Sequence, residues 1–404
     1  RHVAVIVDGR VFSVDVLDEG GAPLNVDDLE ASFRAVRALA QAPVGADELV
    51  GVPVLTAEDR DVWADARTAL ETSHPGNSAT LATIDSSLFV VVLEKGSPKT
   101  DEEYSESALL GGAGNRWFDK HQLIVYGNGA AGANFEHAPG DGTVALGLLS
   151  HVNSYVKDVA VSGLGSASHT QAMPFRGGGE ALLGALATAR LNHAALDNSF
   201  NTSVAKVDVG GARIKSHNCS PDAFAQMAMQ LAAFRVYGQP VATYESNSTR
   251  KFLHGRTETV RSASSEAAAF CRDMDGGNRT RATLDLLHAA ISTHQDYMKM
   301  SKDGFGVDRP LFGMKMLAME AGDALHPLFT DPAFSLSNSW RMSTSHLGGP
   351  AKLFTFGPVV SDGFGLGYAV YPHHTQFATT AFTETSPATA ADMAAAVKEA
   401  TEDM

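Results

Sequence analysis

The sequence predicts a mixed α/β protein of two domains, and three observations lead there. Short β-rich runs and helix-patterned runs are interspersed from end to end. The 404 residues can bury a sizeable core, and at roughly 150 residues per domain they suggest two domains, or three at most. Near residue 175 the composition shifts toward an Ala/Leu-rich helical half. The boundary is therefore set there, with an N-terminal domain over 1–176 and a C-terminal domain over 177–404.

The elements follow in order. Val3 to Val7 and Val11 to Val16 alternate as half-buried strands do, around a turn at Asp8-Gly9. Asp27 to Ala40 has helical spacing, with Leu29, Phe33, Val36 and Leu39 on one side. Ser86–Glu94 and Gln122–Tyr126 are further β-rich runs. Gly163 to Met173 has no periodicity and reads as a surface loop or linker. Glu180 to Asn198 is helical. Ser220-Pro221-Asp222 opens a well-marked helix: Ser caps it, Pro suits the first turn, Asp favours the dipole, and Gly238 stops it. Helices follow at Ser264–Met274, Arg279–Met300 and Pro310–Ala321. A β-rich tail at Lys352–Phe356, Gly367–Tyr371 and Gln376–Phe382 leads to a closing helix from Ala388 to Thr401.

Composition removes several function classes. Lys and Arg number 31 against 46 Asp and Glu, a net charge of −15, so a dedicated nucleic-acid binder would work against phosphate repulsion. Apolar residues at 44% with charged residues at 19% exclude a disordered chain. No stretch reaches the roughly 18 apolar residues of a membrane span. Cys219 and Cys271 are the two cysteines, too few for a disulfide framework, which points to a reducing, intracellular compartment. The chain opens Arg1-His2 directly into a strand, without Met or a signal peptide, as a fragment would.

Gly127-Asn-Gly129-Ala-Ala-Gly132 satisfies a dinucleotide pattern, which needs its glycines to open a helix. Pro139 and Gly140 would end any such helix within two turns, so a glycine-rich hairpin turn is the better reading. The same stretch holds Glu136-His137-Ala-Pro-Gly-Asp141-Gly142. An imidazole in a turn can take and return a proton near neutral pH, and Asp141 four residues on can fix the loop that presents it. A structural or solvated histidine is the alternative. No metalloprotease pattern occurs, and His373-His374 lacks further ligands at zinc spacing. Gly255 to Ser264 concentrates hydroxyls with Arg256 and Arg261, as a carboxylate or phosphate site would, or as a capped helix start with surface ion pairs. Ser343-Thr344-Ser345 is a turn or a hydroxyl cluster facing a reacting oxygen. A GxSxG elbow is missing and neither cysteine sits in a motif, so a covalent nucleophile is unsupported.

Taken together, these segments resemble the carnitine/choline acyltransferase family. The matching runs lie in family order along nearly the whole chain: Asn115 to Lys120, Glu136-His137 with Asp141-Gly142, Ser220 to Phe224, Ala242 to Ser246, Gly255 to Thr259, Asp308-Arg309, Ser343 to Ser345, and Phe356 to Gly365. Val360 to Val370 is closest in wording to the carnitine palmitoyltransferase 2 branch. The resemblance implies a two-domain, chloramphenicol acetyltransferase-like fold with its active site in a tunnel between the domains. It implies reversible acyl transfer between coenzyme A and L-carnitine in fatty-acid metabolism, with acyl-CoA as co-substrate and no permanently bound cofactor. His137 would be the general base, with no acyl-enzyme. Ser345 would stabilise the oxyanion, and Asp141 would support the loop. Arg309 would pair with the carnitine carboxylate, aided by Tyr244, Thr257 and Ser343, while Phe356 would lie near the trimethylammonium group. Choline enzymes carry a neutral residue at the Arg309 position, so carnitine is the expected alcohol.

Two departures from the family pattern matter. Members place two lysines ahead of Ser-Pro-Asp to meet the coenzyme A 3′-phosphate. Here Lys215 stands at the second position and Gly210-Gly211-Ala212 at the first, leaving Arg213 as a substitute and Asp222 as the third coenzyme A residue. Long-chain members carry Gly two residues before the Phe356 position; here it is Phe354. A phenyl ring there should block a long acyl tail, which favours short to medium chains over a palmitoyltransferase 2-like preference. Members also have a substantial portion ahead of Val3–Val7, so the N-terminal domain is expected to be incomplete. A monomer is expected, with room for peripheral membrane contact, in mitochondria or peroxisomes of a eukaryote or the cytoplasm of a bacterium. The rivals are an acyltransferase for choline or another alcohol, and a non-catalytic homologue that binds acyl-CoA or acylcarnitine.

Overall fold

A computed structural model describes residues 1–112, 114–349 and 351–404. The chain divides into two compact units, Arg1–Pro139 with His151–Asn198, and Gly140–Ser150 with Ser199–Met404.

The first unit opens with the expected hairpin of β1 (His2–Val7) and β2 (Arg10–Asp15). Its two-residue turn puts Asp8 and Gly9 at φ 52° and 74°, the geometry that matches strand twist. There follow α1 (Val26–Ala40), β3 (Glu48–Leu49), α2 (Arg60–Ser73), α3 (Pro75–Ser86), β4 (Val90–Leu93), α4 (Asp101–Leu109), β5 (Gln122–Val125) and β6 (Ala131–Asn134). Helix α5 (Gly142–Val156) starts in the second unit and ends in the first, and it buries none of its side chains. Then come β7 (Thr170–Ala172), β8 (Phe175–Arg176) and α6 (Glu180–Ser199). The six-stranded sheet runs β6-β5-β4-β1-β2-β7. One face packs Ala4, Ile6, Val90 and Val92 against Trp63, Leu70, Leu81 and Leu186 of the helices. The other packs Val3, Val5, Phe12 and Val14 against Val36 of α1.

Three expectations change here. The boundary moves from 176 to 198, because Leu182, Leu186 and Ala189 of α6 are buried in the first core beside Trp117 and Phe175. The segment 163–173 is not wholly loop: its end pairs with β2 at Phe12↔Ala172, and Ser168 meets the buried Ser32 hydroxyl of α1 at 2.9 Å. On α1 itself Leu39 is exposed, and Ser32 joins Val36 on the buried side. The glycine-rich run does turn between β5 and antiparallel β6, with Gly129 at φ 81°.

The second unit contains β9 (Phe200–Val207), α7 (Gly211–Ser216), α8 (Pro221–Tyr237), β10 (Thr243–Ser248), β11 (Thr257–Arg261), α9 (Ser265–Asp275), α10 (Arg281–Lys302), α11 (Asp308–Ala321), α12 (Pro332–Ser337), β12 (Met342–His346), β13 (Phe364–Val370), β14 (Thr375–Phe382) and α13 (Ala390–Asp403). Its sheet runs β11-β10-β12-β13-β14-β9, with β10, β12 and β13 parallel. Helix α8 has the predicted ends. Ser220 accepts from the Ala223 N–H, and Gly238 closes it at φ 69°. Every residue from Ala223 to Ala233 is buried, so this helix is the axis of a core completed by α9, α10 and α13. Lys352–Phe356 forms no strand. It crosses the face of β13, where a Cβ on Gly367 would come within 2.2 Å of the Phe354 carbonyl oxygen and one on Gly365 within 2.6 Å of that of Phe356. Glycine is what lets this backbone lie on the sheet. Among the described residues no helix is long and apolar enough to cross a membrane.

Candidate active site

Side chains alternate across a sheet, and register sorts the predicted residues by face. Tyr244 of β10 stands opposite Ser343 of β12, which stands opposite Gly365 of β13; Ser345 stands opposite Gly367. These positions share one face. Thr344 and Glu245 are partners on the reverse face, toward the core.

Arg309, in the first turn of α11, reaches this front face. Its Nη2 donates to the Tyr244 hydroxyl and to Thr257 Oγ1, both at 3.3 Å, and its Nε donates to the Thr257 carbonyl at 3.2 Å. Three of the predicted carnitine residues are thus joined directly. None of the ion pairs among the described residues engages Arg309, although two carboxylates lie close, Asp308 next to it in sequence and Glu258 at its backbone N–H. The Glu258 carboxylate accepts the N–H groups of Arg309 and Thr259. Asp308 is held by Arg261. Glu258 is therefore buried and backbone-bonded, not in a surface ion pair, and Thr257–Arg261 is strand; the capped helix start comes later, at Ser264.

Phe354 and Phe356 sit with ring centroids 5.4 Å apart. Beside them is a void of about 10 Å³ lined by Leu347, Phe354, Gly367, Tyr368, Gln376 and Ala378. That is near the minimum for a single water.

The predicted coenzyme A residues are spread out. Arg213 and Lys215 are exposed on the short helix α7, two positions apart, so they do not face the same way. Neither is hydrogen-bonded to Asp222 among the described residues. Asp222 instead accepts from the Tyr368 hydroxyl at 2.7 Å. The missing first lysine has a steric counterpart: a Cβ on Gly210 would lie 2.4 Å from the backbone at His373 and His374.

His137 belongs to the first unit and is exposed in the turn after β6. The Glu136 carboxylate shapes that turn by accepting the Ala138 N–H at 2.9 and 3.0 Å. In the second unit, Asp141 accepts from Arg256 Nη2 at 2.9 Å and Nε at 3.3 Å, so Arg256 has a structural partner rather than an open phosphate site. Both cysteines are buried, and burial pushes the Cys271 thiol up to about 12, which disfavours a thiolate nucleophile.

Sequence reasoning missed the polar network behind the sheet. Glu245 Oε2 lies 2.6 Å from His294 Nε2, with side chains 3% and 2% exposed. Thr344 Oγ1 donates to the Tyr244 carbonyl and accepts from Gln226 Nε2, which also reaches the Tyr368 hydroxyl. Burial raises the Glu245 carboxyl above its ordinary range. Burial alone would lower the His294 imidazole, but the hydrogen bond and charge of Glu245 leave it raised. His294 was detectable: it lies seven residues beyond Leu287 on the apolar stripe of α10.

The family model described as Choline/Carnitine o-acyltransferase matches residues 1–399. Carnitine O-acetyltransferase of Columba livia is 32% identical over 431 residues, covering 100% of this chain and 66% of its own. Mitochondrial carnitine O-palmitoyltransferase 2 of Mus musculus is 36% identical over 388 residues, covering 92% and 57%. The chain therefore spans 57–66% of the length of these curated relatives. Likeness to solved structures is remote. The wax ester synthase/diacylglycerol acyltransferase from Marinobacter aquaeolei VT8 aligns at 13% identity and TM-score 0.35, covering 70% of each chain. A chloramphenicol acetyltransferase aligns at 11% and 0.25, covering 50% of this chain and 88% of that one. With its match running from the first residue to within five of the last, this chain belongs to the choline/carnitine O-acyltransferase family.

Proposed function

We propose that the chain acts in reversible acyl transfer between coenzyme A and the hydroxyl of L-carnitine. The observation that carries this reading is Arg309: a guanidinium oriented by Tyr244 and Thr257, with its neighbouring acids otherwise occupied. Such a group suits a substrate carboxylate, which carnitine has and choline lacks. Phe356 supplies a ring for the trimethylammonium end, a contact worth about 1–2 kcal/mol when desolvated.

His137 takes the proton from the carnitine hydroxyl as its oxygen attacks the thioester carbonyl. The Ser345 hydroxyl donates to the tetrahedral oxyanion, a contribution of roughly 3–4 kcal/mol for a well-placed donor. Collapse expels the coenzyme A sulfur, which recovers the proton from His137. Acyl transfer is direct, and Asp141, paired with Arg256, orders its loop. Lys215, with Arg213, is the candidate for the coenzyme A phosphate. Short acyl groups are favoured on this reading, because Phe354 stands where long-chain members of the family carry Gly.

The test is acyl exchange onto labelled carnitine and choline from acetyl-, octanoyl- and palmitoyl-CoA. Carnitine with acetyl-CoA should be the best pair, and Arg309→Asn should raise the carnitine KM at least about tenfold while barely changing choline. Equal effects on both alcohols would refute the carboxylate role. Preference for palmitoyl-CoA would favour the palmitoyltransferase 2-like reading, and binding without turnover a non-catalytic homologue.

A further inference from the structure

We infer that Arg261 is a positioning residue that keeps Arg309 open to an incoming carboxylate by occupying the acid beside it. The inference rests on Arg309 being the carboxylate ligand and adds a residue that never touches substrate.

Arg309 follows directly on Asp308 at the start of α11. Neighbours on a helix do not by themselves face each other, but both side chains line one cavity, where a free Asp308 carboxylate would compete with a substrate carboxylate for the guanidinium. Here Arg261 grips Asp308 as a fork, with Nε to Oδ2 at 3.1 Å and Nη2 to Oδ1 at 2.5 Å. Two parallel bonds of this kind give geometric selectivity as well as strength. Arg261 is itself held in place. Its Nη1 donates to the Ser337 carbonyl at 2.7 Å, and its Nη2 to Asn338 Oδ1 at 2.9 Å. Its guanidinium lies over the Trp340 ring at 4.6 Å. The Asp308 side chain is 9% exposed, so water is a poor substitute partner.

Register strengthens the case. Arg261 pairs with Tyr244 across β11 and β10, and Trp340 meets the Tyr244 ring edge-on at 5.7 Å. Arg261 thus braces, through Trp340, the tyrosine whose hydroxyl accepts from Arg309. A cavity of about 260 Å³ adjoins these groups, lined by Asp308, Arg309, Phe312, Lys315, Phe334 and Trp340. Without Arg261, Asp308 would have both an unmet charge and space in which to turn toward Arg309. Buried charges left without a partner are costly enough to drive such a rearrangement.

The experiment compares wild type, Arg261→Met, Arg261→Lys, Arg309→Asn and the double variant Arg261→Met with Asp308→Asn. Acetyl exchange gives kcat and both KM values, and saturation-transfer NMR measures carnitine binding without acyl-CoA. Arg261→Met should raise the carnitine KM at least about tenfold and leave the acetyl-CoA KM within about twofold. Arg261→Lys, which keeps charge without the fork, should fall between and serves if the methionine variant misfolds. Removing the freed acid in the double variant should restore carnitine KM and binding to within about threefold of wild type. A merely structural role predicts the opposite, a double variant no better than the single. That result, or an unchanged carnitine KM in both single Arg261 variants, overturns the inference. A wild type that binds no carnitine overturns the Arg309 reading and this inference together.

Discussion

Replacing His294 by Leu removes one half of the Glu245–His294 pair, whose side chains are 3% and 2% exposed. The carboxylate then retains one protein donor from a side chain, Ser262 Oγ at 3.3 Å. Breaking a buried pair from one side costs about 3–5 kcal/mol, and the lost charged hydrogen bond alone is worth about 1.5–3. Glu245 can relieve part of the penalty by protonating, since burial already raises its carboxyl, so about 3 kcal/mol is expected. For a unit of roughly 200 residues that lowers Tm by about 6–12 °C. Trp340 is the tryptophan of the second unit, whereas Trp63 and Trp117 belong to the first. A 19F melt of 5-fluorotryptophan protein therefore reads the two units separately, and only the Trp340 signal should move. Replacing both partners with Leu should recover about 1–4 kcal/mol relative to the single variant. The imidazole is raised above 6.5, so its stabilisation is complete below that pH and is lost as pH rises through the raised value. Glu245, raised above 4.5, shifts stability in the same direction. Wild-type Tm at Trp340 should thus fall from pH 6.5 to 9 more steeply than that of the variant. A single variant melting within about 1 °C of wild type, or a double variant less stable than either single, would refute this reasoning.

Other outcomes are equally specific. Phe354→Gly should raise octanoyl- and palmitoyl-CoA turnover relative to acetyl-CoA at least about tenfold in kcat/KM; unchanged palmitoyl activity would refute the gate. Lys215→Ala should raise the KM for coenzyme A and leave dephospho-coenzyme A alone, and equal shifts would remove Lys215 as the phosphate ligand. Gly210→Ala should cost about 1–3 kcal/mol by thermal melting, because its Cβ meets the His373–His374 backbone at 2.4 Å.

Strong local signals carried over well from sequence to structure. The α8 helix was legible end to end because Ser220 and Gly238 make caps that need no tertiary help. The hairpin at Asp8-Gly9 was legible for the same reason. Helices α3 and α4 were not. Their caps at His74 and Thr100 are present, but their apolar stripes are weak, so periodicity had little to show; α2, with Trp63, Ala66 and Leu70 on its buried side, carries a stripe that the sequence reading passed over. Lys352–Phe356 carries strand-like residues, yet its backbone is placed by glycines on a distant strand. The Tyr244–Thr257–Arg309 grouping came from motif resemblance, and hydrogen bonds join it in the structure. Arg261 lay inside the quoted run, but its Asp308 fork is a contact 47 residues away in sequence.

The sheet of the second unit also dictates when this protein can fold. Among the described residues, strand β9 pairs with β14 at the edge of the sheet, with Phe200 opposite Phe382, 182 residues later. At about 5–20 residues per second, a nascent chain would carry β9 without its neighbour for roughly 10–35 s. Helix α13, which closes over β9 and α8, emerges later still. The first unit can form its own hairpin within microseconds of emergence, so the two halves mature on very different clocks. Ribosome-associated chaperones would have most to do while β9 waits, and slow translation near residue 380 would lengthen the interval in which that edge is open to a wrong partner.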